Sequence, residues 1–179
     1  MTVWFTADQH FGHGGIDGKH GIIEYCKRPF KDVNEMDEML IKFWNDVVQP
    51  IDTVFVLGDF AFKHHETYKA RLNGIIHLMD GSHDSYDEGV KLTVIKQKRY
   101  FPDNPEYKDI SLCHFAMRSW QNSHYGSWAL FGHHHGNLEP YGLSFDVGVD
   151  AGWNYYPVSI KQVAKKMATL KPIVDFSLH

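Results

Sequence analysis

Cysteine is scarce in this chain: two residues in 179, Cys26 and Cys113, lie far apart. That excludes a disulfide framework standing in for a hydrophobic core, and it makes a reduced, cytoplasmic setting the expectation. No apolar run approaches the roughly 20 residues needed to span a bilayer. Met1 and Thr2 lead directly into Val3-Trp4-Phe5 without a secretory-type apolar stretch, so neither export nor membrane insertion is expected. A basic surplus is missing too, since 18 Lys and Arg face 22 Asp and Glu for a net charge of -4. General nucleic-acid binding draws on counterion release by clustered cations and is therefore not expected. Internal repeats, low-complexity tracts and Ser/Gly-rich linkers are absent. With 43% hydrophobic and 15% aromatic residues, disorder is excluded and one domain over residues 1–179 is expected.

What the chain holds in excess is histidine, 13 residues in all. Their setting depends on the secondary structure around them. Met36, Met39, Leu40, Phe43, Trp44, Val47 and Val48 recur at helical spacing, which predicts an amphipathic helix over Met36 to Gln49, stopped by Pro50. Shorter helices are predicted over Glu66 to Leu72 and Ser159 to Met167. Seven short runs rich in Val, Ile, Phe and Leu predict buried strands. They are Val3–Thr6, Thr53–Leu57, Ile75–Met79, Val94–Lys98, Ile110–Cys113, Trp128–Phe131 and Ser144–Val147. The first three alternate with helices or long connections, whereas the later ones read as joined by turns such as Pro102-Asp103-Asn104-Pro105. A parallel α/β start and a hairpin-rich second half predict an α/β fold of two packed sheets with helices outside.

Five of these strands end in chemistry. Val3–Thr6 runs into Ala7-Asp8-Gln9-His10, Thr53–Leu57 into Gly58-Asp59, and Ile75–Met79 into Asp80-Gly81-Ser82-His83-Asp84. Ile110–Cys113 runs into His114, and Trp128–Phe131 into Gly132-His133-His134-His135. In α/β sheets the C-terminal strand edge is where ligands gather. Residues i and i+2 of an extended segment point the same way, so Asp8 with His10, and His133 with His135, can each share an ion, and His134 would point away. Oxygen and imidazole donors without cysteine suit Mn²⁺, Fe, Zn²⁺, Ni²⁺ or Co²⁺. The ligands exceed what one ion takes, so two ions bridged by a carboxylate are expected. Such a pair, roughly 4 Å apart, clamps a phosphate and activates a bridging water as hydroxide.

As a set, Asp8-x-His10, Gly58-Asp59, Gly81-Ser82-His83-Asp84, His114 and Gly132-His133-x-His135 resemble the calcineurin-like metallophosphoesterase superfamily, in its order from Asp8 to His135. Asp8-Gln9-His10-Phe11-Gly12-His13, Tyr25-Cys26-Lys27-Arg28-Pro29-Phe30 and Trp120 to Trp128 resemble a small bacterial and phage branch of it. The resemblance implies a four-layer α/β-β/α sandwich with two mixed sheets, flanking helices and a dinuclear centre, manganese preferred. It implies that Asp8, His10 and His135 hold the first metal, that Asp59 bridges, and that His114 and His133 hold the second. It further implies that His83 protonates, or hydrogen-bonds, the leaving oxygen with Asp84 as its partner.

The chain departs from that pattern twice. Ser82 stands where the family carries an Asn whose carbonyl ligates the second metal, and a shorter hydroxyl predicts a weakened second site. Asp80 stands where the family's protein phosphatases carry an Arg for a phosphomonoester dianion, which favours a small nucleotide-like or cyclic phosphodiester. The expected activity is thus a phosphodiesterase, with a phosphomonoesterase or a non-catalytic scaffold of the same fold as rival readings. His13, His124 and Arg118 are candidate substrate contacts. The aromatics of Trp120 to Trp128 are read as packing, His64 and His65 as solvated, His77 as a satisfied core residue and Cys26 as buried filler.

Overall fold

The computed structural model describes residues 1–15, 21–84 and 91–173. Its strands are β1 (Val3–Thr6), β2 (Thr53–Val56), β3 (Ile75–Leu78), β4 (Leu92–Ile95), β5 (Ile110–Cys113), β6 (Trp128–Phe131), β7 (Ser144–Asp146) and β8 (Val158–Ser159). Its helices are α1 (Ile22–Cys26), α2 (Val33–Val47), α3 (His65–Lys69), α4 (Gln97–Tyr100) and α5 (Ile160–Met167). The strands form two mixed four-stranded sheets, ordered β3-β2-β1-β8 and β4-β5-β6-β7. The fold is therefore α/β, a two-sheet sandwich as expected.

The two sheets share one apolar cluster. Phe5, Phe55 and Leu57 from the first face Ile110, Leu112, Leu130 and Phe145 from the second, with Val163 and Met167 of α5 joining them. A second cluster lies on the other face of the first sheet, where Leu40, Ile41 and Trp44 of α2 cover Val54 and Val56. Trp44 keeps its polar edge satisfied there, donating from Nε1 to the Asn73 carbonyl at 2.8 Å. Among the described residues no helix is long and apolar enough to cross a membrane.

Several expectations are corrected. The main helix starts three residues earlier, because the Asp32 side chain caps it by accepting from the Glu35 amide at 2.9 Å. It ends at Val47, since the approach to Pro50 favours extended backbone and Val48 adopts φ -88, ψ 129. The expected strand Val94–Lys98 lies instead at Leu92–Ile95. Asp109 accepts from the Gln97 amide and from Lys96 Nζ, turning the chain into α4 at that point. Helix α1 and strand β8 are too short to announce themselves, and Ser159 serves as both strand end and capping-box residue of α5.

The largest correction concerns the second sheet. It is not hairpin-rich: only β4 pairs antiparallel with β5, whereas β5, β6 and β7 run parallel. The connections over 114–127 and 132–143 are long enough to carry the chain back to the start of the next strand. His77, expected in the core, is exposed on edge strand β3 with its ring stacked on Phe55, centroids 5.0 Å apart. Parallel pairing has a consequence for chemistry. β1, β2 and β3 in one sheet, and β5, β6 and β7 in the other, each deliver their C-terminal ends together.

Candidate metal centre

The loops leaving those strand ends meet between the sheets. Ala7, just after β1, bridges to Gly148, just after β7, and the His114 carbonyl accepts from the Gly132 amide at 3.0 Å. Out of this junction come two groups of three side chains whose donor atoms lie within 4.8 Å of one another: Asp8, His10 and His135, and Asp59, His114 and His133. The residues drawn from the sequence as ligands thus converge. His133 and His135 do so in different groups, so these two do not share one set of neighbours as their i, i+2 spacing suggested.

The backbone explains why. Asp8 (φ 62), His10 (φ 55), Asp59 (φ 51), His133 (φ 69) and His135 (φ 49) are all left-handed rather than extended. Asp and His tolerate this region better than most residues, yet sparsely populated conformations cost roughly 1–3 kcal/mol each. The bonds that hold them are visible. The Asp8 carboxylate accepts from the His133 amide at 2.9 and 3.0 Å, and Asp59 Oδ1 accepts from the His83 amide at 2.8 Å. Each group's carboxylate therefore pins a loop that carries other members of the site. Gly58 (φ +90) makes the turn before Asp59, and a Cβ there would lie 2.7 Å from His114 Nδ1.

The first group is braced from behind. His135 Nδ1 donates to Asp150 Oδ2 at 2.7 Å, which leaves Nε2 turned away from that partner. Asp150 is held in turn by Arg28, whose Nε and Nη2 donate to its two oxygens at 3.0 and 2.6 Å. The same guanidinium donates to the carbonyls of Asp8 and Gln9 at 2.6 and 2.8 Å. Sequence reading missed this pair, which is separated by 122 positions. Arg28 lies in a segment already singled out, and Asp150 follows a strand as the other acids do. Cys26, expected to be inert filler, forms a further group with His135 and Asp150.

The second group is built differently. His114 Nδ1 donates to the Leu57 carbonyl at 2.8 Å, so Nε2 is the atom facing Asp59 Oδ2 at 3.3 Å. Ser82 Oγ lies 3.1 Å from both His114 Nε2 and His133 Nδ1, and Ser82 is exposed. The position expected to carry a ligand is thus beside the second group, occupied by a short hydroxyl.

Burial makes these groups electrostatically unsettled. Asp8 is fully buried, and that burial, reinforced by Asp146, raises its pKa to about 7 despite the nearby His135 and His114. Burial, with Arg28 and His135 nearby, pushes His10 far below the imidazole range although Asp59 pulls the other way. His135 is raised to about 10, because the bonds with Asp150 and Cys26 overcome burial. His10 Nε2 is buried without a hydrogen-bond partner. A neutral imidazole with an orphaned nitrogen, buried carboxylates and hard oxygen–nitrogen donors fit divalent transition metal ions.

The remaining predicted residues divide. His83 and His13 line a cavity of about 550 Å³ over the two groups, with the His83 ring 5.3 Å from that of His10. His134, expected to point away, lines it as well. Asp84 does not partner His83. Its oxygens accept from the Phe60 and Gly81 amides at 3.2 and 3.0 Å, with His65 Nε2 at 3.5 Å, so it ties two loops together. His65 is accordingly not merely solvated. His124 is exposed in a 3-10 turn against Tyr125, and exposed Arg118 lies 5.9 Å over the Tyr141 ring. Neither lines the cavity. Trp120, buried and donating to the Ser127 carbonyl at 3.0 Å, and buried Trp128 pack as expected, whereas Tyr125 of the same stretch is exposed.

No protein-family model matches the chain. An uncharacterized protein of Methanocaldococcus jannaschii is 34% identical over 91% of this chain and 89% of its own length. The chain belongs to that protein's family. A protein of unknown function from Aquifex aeolicus shares the fold, with a TM-score of 0.64 and 22% identity over 92% of this chain and 98% of that one. A predicted phosphoesterase from Streptococcus pneumoniae reaches a TM-score of 0.45 at 14% identity, over 82% of this chain and 70% of that one.

Proposed function

We propose that the chain is a metal-dependent phosphohydrolase, and within that class a phosphodiesterase acting on a small nucleotide-like or cyclic diester. The observation that carries this reading is the position of Asp59. Its Oδ2 lies 3.6 Å from His10 Nε2 and 3.3 Å from His114 Nε2, so one carboxylate oxygen faces an imidazole of each group. Asp8, His10 and His135 would hold one divalent ion and His114 and His133 the other, with Asp59 shared and Ser82 a poor additional donor. Manganese is preferred, and iron, zinc, nickel or cobalt also suit the donors. When bound, such ions supply Lewis acidity toward a phosphoryl oxygen and lower the pKa of water.

The chain's own residues do the rest. His83, anchored through its amide to Asp59 and open to the cavity, holds the proton that the leaving alkoxide takes. His13, its Nδ1 3.2 Å from His10 Nδ1, lines the same wall. No Lys or Arg is among the described residues lining the cavity, which supports a monoanionic diester over a dianionic monoester. Asp80 also stays out of the lining, so its charge acts on the substrate only from a distance.

Mn²⁺-dependent hydrolysis of bis-p-nitrophenyl phosphate beside p-nitrophenyl phosphate tests the reading. Diester cleavage is expected to be faster, and His83→Ala should lower it about 10²–10⁴-fold while metal content is kept. Faster monoester cleavage would reassign the chain as a phosphatase. Metal binding without cleavage of either would favour a scaffold.

A further inference from the structure

Aromatic side chains are costly to leave in water, and clusters of exposed ones mark recognition surfaces. Five aromatic residues are largely exposed among the described residues, and three stand at the metal centre. Tyr25, 79% exposed, meets His135 of the first group edge-on, ring centroids 6.3 Å apart. Phe115, 50% exposed, sits at the second group, 4.6 Å from His133 and 4.9 Å from His114. Phe62, 45% exposed, stacks on His13 at 4.7 Å and 13° and lies 6.3 Å from His83. None of these rings is needed to hold a metal or move a proton. Tyr25 lines the cavity, and Phe62 and Phe115 stand at its edge against the lining residues His13 and His133, so an aromatic rim places at least one ring beside each group.

We propose that this rim selects a phosphodiester carrying planar aromatic groups on both sides of phosphorus, with a dinucleotide as the fitting chemical class. The inference rests on the phosphoesterase reading for its phosphate and adds the recognition of what the phosphate joins. A cavity of about 550 Å³ is in the size range of small-molecule sites and exceeds what a phosphate alone requires. Aromatic faces take any base by stacking, so recognition by this rim is tolerant of base identity. The net charge of -4 supplies no basic surplus to draw in long polyanions, which favours short substrates with few phosphates.

Calorimetric titration of the Mn²⁺-loaded chain with a dinucleoside phosphorothioate and with diethyl phosphate tests this without requiring turnover. The dinucleotide is expected to bind about a hundredfold more tightly, roughly tenfold for each stacked base. Phe115→Ala and Phe62→Ala should each remove about tenfold of that advantage, the worth of one stacked base, and Phe115→Trp should restore it. Equal binding of the two probes, or alanine variants that keep the full advantage, overturns the proposal. The two readings fail separately. A chain that cleaves diesters without aromatic preference loses only the rim, and one that binds dinucleotides through the rim but cleaves nothing loses only the reaction.

Discussion

The two halves of the candidate metal centre are built to different standards. The first group is braced: Asp8 is fully buried, and His135 is aimed by an Asp150–Arg28 pair that also grips the Asp8 and Gln9 carbonyls. The second leans on a backbone carbonyl behind His114, and an exposed serine stands beside its two imidazoles. A fixed, charge-backed donor set is already oriented before an ion arrives, whereas a donor too short to reach leaves the ion less held. The difference predicts that the first group holds its ion more tightly than the second, because of what stands behind the ligands.

Breaking the carboxylate common to both halves is expected to have the largest effect. Asp59→Asn should abolish the tight binding of both ions and all turnover, read as metal content after gel filtration and as hydrolysis rate. Retention of either ion at full occupancy would remove Asp59 from the shared role. Next comes the brace. Asp150→Ala should weaken the first ion about 10–100-fold while sparing the second, as seen by calorimetric titration with Mn²⁺. It should also cost roughly 3–5 kcal/mol of stability, since Arg28 is left buried and unpaired. Ser82→Asn sharpens the comparison from the other side. A longer amide carbonyl is expected to tighten the second ion several-fold and raise activity at limiting metal, and a titration with two equal tight sites in the unaltered chain would refute the asymmetry.

The smallest effect belongs to a residue remote from both groups. Asp52 is buried, which pushes its carboxyl up, but the Thr2 and Gln49 amides and Trp4 Nε1 donate to it and hold it below its ordinary value. A depressed carboxyl contributes stability above its unfolded pKa of about 3.9 and loses it as pH falls through the folded value. Asp52→Asn should therefore cost about 1–3 kcal/mol at neutral pH, with the gap to the unaltered chain closing below about pH 4. Thermal unfolding across pH checks this, and both metal affinities should be untouched.

Much of the centre was readable along the chain because strand ends in parallel sheets converge. Five runs of Val, Ile, Phe and Leu, each followed by Asp or His, were enough to name Asp8, His10, Asp59, His114, His133 and His135 together. Less readable was anything that depends on pairing across long separations. Arg28 and Asp150 carry no mark in sequence of being partners, and Asp84 was assigned to its neighbour His83 when its oxygens reach across to the Phe60 amide. His124 and Arg118 sit within a few residues of strand ends, yet the connection between β5 and β6 carries both out of the cavity.

By itself, then, the sequence determined the composition of the site and the order in which its elements supply it, because hydrophobic periodicity fixes where strands end and residue type fixes donor chemistry. The direction of the second sheet's strands, the division of the six candidate ligands into two groups and the left-handed backbone at five of them were decided only on folding. The reason is physical. Parallel pairing is settled by which long connections can close, and a strained φ persists only where bonds from distant loops, such as His133 to Asp8 and His83 to Asp59, hold it in place.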